Sequence, residues 1–144
     1  MDDNTLLELE RRKKYLKRYR RNGVLIERLE SKLRVLETRI QGVRSPSLSG
    51  MPRGGVPLSR EDLIAEKVDL ERRIKGLRSK GAGMRTELLD LIDEVEDPRY
   101  AEVLESFFID GKDFREIAQD MDYTERHVIR LYSEAILSLS LNSQ

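Results

Sequence analysis

Residues 114–135 read FREIAQDMDYTERHVIRLYSEA, and the fold of the chain turns on how this stretch is read. It has the layout of a helix-turn-helix. Ala118 is small enough to let a second helix cross close to the first. The turn needs a residue that tolerates positive φ, and Asp122 stands where glycine is the usual occupant. Thr124 offers a side-chain oxygen to open the second helix. Val128, ten residues after Ala118, returns that helix's apolar side to the core. Its exposed start then carries Thr124, Glu125, Arg126, His127, Ile129 and Arg130. Such a helix fits the major groove, where arginine bonds guanine bidentately and acids accept from cytosine.

Working outward, Asp97-Pro98 marks a helix start: a side-chain acceptor followed by a residue suited to the first turn. Val103, Leu104, Phe107 and Phe108 give that helix its apolar face, and Gly111 ends it. Asp113 with Glu116 three residues on opens the next helix as a capping box.

Further upstream lie two long apolar stripes. Ile26, Leu29, Leu33, Leu36 and Ile40 alternate in steps of three and four, and Leu63 to Val95 repeats the pattern with Lys67 and Gly81 as interruptions. Ser59 and Asp62 resemble a helix-capping pair. Between the stripes, the proline- and glycine-rich run from Val43 to Ser59 forbids a continuous helix. The expected fold is therefore all-α. Residues 1–96 form a long antiparallel, coiled-coil-like helical hairpin with its loop at 44–58, and 97–144 form a three-helix helix-turn-helix unit. Setting Ile40 opposite Leu63 brings Gly23 to the level of Gly81, which reads either as a shared hinge or as close backbone contact.

The C-terminal stretch resembles region four of bacterial sigma factors: an apolar helix, a Gly-containing break, "EIA", a turn, Thr124 to Val128 opening the last helix and "EAI" closing it. It departs from that pattern in lacking a basic tail. With the basic first helix and the Met51–Gly55 segment "MPRGG", nearly the whole chain is similar to small sigma-like regulators of phages and prophages, akin to the ArpU and RinA late-gene regulators. That resemblance implies binding of promoter DNA, control of late or packaging genes and contact with RNA polymerase.

The chain holds 27 basic and 27 acidic residues, but not evenly. Residues 1–44 carry a net +6 and residues 97–144 a net −5. The block RRKKYLKRYRR at 11–21 has eight cations in eleven residues. The hairpin register places it beside residues 82–92, near Glu87, Asp90, Asp93, Glu94 and Glu96, so part of its charge is expected to be neutralised internally. Lys13, Lys14, Lys17 and Arg21 are the outward cations expected to meet phosphate.

Other function classes find little support. There is no cysteine and a single histidine, which excludes a thiolate or multi-histidine metal site. No cofactor motif or catalytic constellation stands out, so no enzyme is expected. No apolar run is long enough to span a bilayer, and the acidic, polar start is not that of a signal peptide. The expectation is a protein of the bacterial host cytoplasm, a sequence-specific DNA-binding regulator with a homodimer through the hairpin as a further option. The alternatives are a DNA-packaging component like a small terminase subunit and a module that binds protein alone.

Overall fold

The computed structural model describes residues 1–42 and 59–141. The loop expected at 44–58, its Met51–Gly55 segment and the last three residues lie outside the described residues. The described chain is all-helical, with no strand. The helices are α1 (Asp3–Gly42), α2 (Arg60–Asp93), α3 (Pro98–Leu104), α4 (Phe114–Met121) and α5 (Glu125–Ser138). A wider π turn, Glu105–Ile109, continues α3.

Helix starts follow local chemistry. The Ser59 hydroxyl accepts from the Asp62 N–H at 3.2 Å, and the Asp62 carboxylate accepts from the Ser59 N–H at 3.3 Å. Asp97 accepts from the Arg99 N–H at 2.9 Å, directly before Pro98. Each bond satisfies a donor that the first helical turn leaves open.

Both long helices run unbroken through their glycines. Gly81 is buried against Asn22: a Cβ there would lie 2.5 Å from the Asn22 Nδ2. Gly23 has open space where its Cβ would be. The neighbour of Gly81 is thus the Asn22 side chain and not the Gly23 backbone.

Contacts group the chain into two compact units. One unit comprises 1–22 with 81–144, the other 23–80. In the first, Leu9 and Leu16 of α1 and Leu88 and Ile92 of α2 share one core with α3, α4 and α5. An aromatic cluster lies within it. Phe107 stacks on Phe114 with centroids 4.9 Å apart, and Phe108 and Tyr132 complete the group. The core of the second unit is Leu29 and Leu36 of α1 with Leu63 and Ile74 of α2. One side of that contact is closed by ion pairs: Lys67 with Glu37 at 3.9 Å and with Glu71 at 3.8 Å, and Arg78 with Glu30.

Candidate nucleic-acid interface

The α4–α5 connection is built from bonds that its sequence supplies. At the start of α4, the Asp113 carboxylate accepts from the Glu116 N–H at 2.8 Å, and the Glu116 carboxylate accepts from the Asp113 N–H at 3.3 Å. At its end, Asp122 adopts φ 57°, ψ 44°, the only non-glycine residue with positive φ among those described. The Tyr123 N–H donates to the Ala118 carbonyl at 2.9 Å and the Asp122 N–H to the Gln119 carbonyl at 3.4 Å. This pair is the Schellman arrangement, which closes a helix through one left-handed residue. Thr124 then caps α5, its hydroxyl accepting from the His127 N–H at 3.1 Å. Ile117 and Ala118 on α4 and Val128, Leu131, Tyr132, Ala135 and Ile136 on α5 are buried, which fixes the face that α5 leaves outside.

That outer face carries most of the expected residues. Thr124, Glu125, Arg126, Ile129 and Arg130 are all exposed, Ile129 by 45%. Arg126 makes no ion pair among the described residues. His127 is half-buried: Tyr123 packs edge-on against its ring at 4.6 Å, and the Arg130 guanidinium lies 3.0 Å from its Nδ1. Arg130 also approaches Glu134 at 4.0 Å, and Glu134 in turn accepts from the Tyr100 hydroxyl at 3.0 Å. That bond raises the Tyr100 pKa above the ordinary phenol value, because ionising the hydroxyl would lose it. Arg130 is thus held from two sides, while Arg126 projects without support. The sequence reading missed Tyr123, Glu134 and Tyr100. Glu134 was legible, since four residues separate it from Arg130 on one helix; Tyr100 comes from another helix and carries no local signal.

The cationic block divides by what each side chain meets. Arg11 and Arg12 both bond Glu8 at 2.8 Å, and together they hold its carboxyl down at about 2. Arg12 also donates through Nη1 to the carbonyls of Ile136, Leu137 and Leu139 at 3.0, 3.1 and 2.8 Å. Arg18 pairs with Glu87 at 2.7 Å. The Arg20 guanidinium covers the Phe107 ring at 4.3 Å. Lys13 departs from the expected outward set. It is half-buried, paired with Glu10 at 3.3 Å, with its Nζ 5.7 Å from the centre of the Tyr132 ring. Lys14, Lys17 and Arg21 are exposed and have no acidic partner among the described residues. Their spacing of three and four puts them on one face of α1. Neutralisation comes from Glu8 and Glu10 on α1 itself and, across to α2, from Glu87, one of the acids that the hairpin register placed beside the block. Among the described residues, Asp90, Asp93, Glu94 and Glu96 form no ion pair with Arg12, Lys13, Lys14, Lys17, Arg18, Arg20 or Arg21.

The Tyr132 hydroxyl is buried without a hydrogen-bond partner among the described residues, and burial pushes its pKa up to about 12. It serves the core and not the exposed face. No group of three or more His, Asp or Glu side chains is arranged to hold a metal among the described residues. No described helix is long and apolar enough to cross a membrane. The chain matches no protein-family model, no curated protein and no solved structure.

Proposed function

We propose that this chain is a sequence-specific binder of double-stranded DNA that regulates transcription. In this reading α1 and α2 form an antiparallel helical hairpin, and α3, α4 and α5 form a helix-turn-helix unit. The first turns of α5 enter the major groove and Arg126, Arg130 and Glu125 meet base edges. Thr124, His127 and Ile129 border that contact. Lys14, Lys17 and Arg21 contribute phosphate contacts that carry no sequence information. The resemblance to phage and prophage regulators extends the proposal to control of late or packaging genes and to contact with RNA polymerase. The activity proposed is binding, with no catalytic step and no cofactor.

The observation that carries the reading is the exposed start of α5. A capped helix presents two arginines, a carboxylate and an exposed isoleucine on one face, after a left-handed turn at Asp122.

Selection of bound sequences from random duplex DNA tests it. Arg126→Ala and Arg130→Ala should each weaken binding to the selected sequence by about 1–3 kcal/mol, with helicity unchanged. Replacing Lys14, Lys17 and Arg21 with alanine should weaken all sequences alike and flatten the dependence on salt. If both arginine variants shift the selected duplex as the parent does, α5 is not the reading helix. If the parent binds no duplex even at low salt, the DNA reading as a whole is wrong.

A further inference from the structure

In the unit formed by residues 23–80, the contact between α1 and α2 has two unlike sides. Helical spacing puts Glu30 and Glu37 of α1 and Lys67, Glu71 and Arg78 of α2 on one side, where ion pairs close it. The other side is an open groove of about 780 Å³. Leu29, Leu36 and Leu70 line it, and Val35 on its α1 wall is 62% exposed. Its charges are sorted by wall. Arg28, Lys32 and Arg39 stand on α1; Glu66 and Asp69, with Arg73, stand on α2. None of these six makes an ion pair among the described residues.

We infer that this groove is a docking surface for a second copy of the same chain. Leu29 and Leu36 form the buried floor of the groove, and its exposed apolar surface is Val35 with part of Leu70, which a second pair of helices laid on that flank would cover. Charge selects the arrangement. Two equal units can meet face to face about a twofold axis in the plane of contact. With the axis across the helices, each α1 meets the partner's α1, and three cations face three cations. With the axis along the helices, each α1 meets the partner's α2, so Arg28, Lys32 and Arg39 face a wall holding Glu66 and Asp69. Arg73 lessens the contrast between the walls without reversing it. Either arrangement brings the two grooves together and covers Val35, so charge decides between them. The inference stands independently of any reading of α5.

Light scattering across a concentration series tests it on the full chain. The protein should pass from monomer to dimer in roughly the micromolar range expected of a small interface. Lys32→Glu with Arg39→Glu puts acid on both walls, and Glu66→Lys with Asp69→Lys puts base on both. Each double variant should dimerise roughly tenfold or more weakly than the parent. An equimolar mixture of the two should form a heterodimer, because each seam then joins opposite charges again. Val35→Lys, at an exposed site the monomer tolerates, should also weaken the dimer while helicity at 222 nm is kept. A parent that stays monomeric to roughly 0.1 mM overturns the inference. Dimers that survive both reversals, or a mixture that recovers no heterodimer, overturn it equally.

Discussion

Arg12 offers the sharpest test of how the unit of residues 1–22 and 81–144 is held together. The last turn of α5 contains no basic residue of its own, so its terminal carbonyls lack a cation from within the helix. Arg12 supplies one through three carbonyl contacts of 2.8–3.1 Å, with Glu8 holding its Nε at 2.8 Å. Its side chain is only 15% exposed, so water screens the contact poorly. A hydrogen bond from a charged donor contributes about 1.5–3 kcal/mol, and a cation at a partly buried helix C-terminus up to about 2 kcal/mol. The three contacts share one nitrogen and overlap with the dipole term, so they do not add. Arg12→Met, which keeps most of the packing, should cost about 2–3 kcal/mol. Arg12→Lys keeps the charge but loses the fork, and should fall between Met and the parent. All five tyrosines, Tyr15, Tyr19, Tyr100, Tyr123 and Tyr132, lie in this unit, and the chain has no tryptophan. Urea unfolding followed by tyrosine fluorescence therefore reports this unit directly. A loss below about 0.5 kcal/mol for Arg12→Met would mean that water serves these carbonyls equally well, and the latch would be refuted.

Tyr132→Phe removes a buried hydroxyl that has no partner, and should stabilise the same transition by about 1 kcal/mol; a loss would reveal a hydrogen bond formed in solution. Gly81→Ala gains helix propensity of about 1 kcal/mol, but the buried Asn22 amide must shift to admit the Cβ, so in urea titration it should stabilise less than the same change at Gly83. Gly83→Ala has open space and should stabilise by about 1 kcal/mol. The Glu8 carboxyl is held at about 2 against an ordinary value of 4.5, with the Arg11 and Arg12 hydrogen bonds as cause. A depressed carboxyl contributes stability above its unfolded pKa and loses it as pH falls through the folded value. Urea midpoints should therefore decline between pH 4.5 and about 2, and Glu8→Gln should make that decline shallower.

The features legible in the sequence are those written within four or five residues. Ser59 with Asp62, Asp97 before Pro98, Asp113 with Glu116, and Thr124 all cap as their spacing foretold. Asp122 took the left-handed turn because Asp tolerates it better than most side chains. What escaped the reading depends on contacts across long stretches of chain. Gly23 and Gly81 lower helix propensity, yet α1 and α2 continue through them, and the Asn22 side chain lies against Gly81. The π turn at Glu105–Ile109 has no local signature here; it precedes the left-handed Gly111 and lies where Phe107 and Phe108 both enter the aromatic cluster. Arg12 looked like any other cation in its block, and only the end of α5, more than 120 residues away, sets it apart.

The division of that block bears on how the protein would use charge. Five of its eight cations are engaged by an acid or an aromatic ring of the chain itself. Arg11 and Arg12 hold Glu8, Lys13 holds Glu10, Arg18 holds Glu87, and Arg20 covers Phe107. Had all eight been solvated, a net-neutral chain would present a strongly polar front, and that front would dominate any encounter with a polyanion. With five engaged, the charge left for phosphate is the Lys14, Lys17 and Arg21 face, a modest contribution that salt screens readily. Affinity for DNA would then rest more heavily on the start of α5, where Arg126 has no ion-pair partner among the described residues and Arg130 is braced by His127 and Glu134. A binder arranged this way gains discrimination, because weak phosphate contact leaves mismatched sequences with little to hold them. It also explains why an acidic C-terminal segment need not argue against a DNA-reading role: specificity depends on which charges face the groove, and net charge governs mainly the approach.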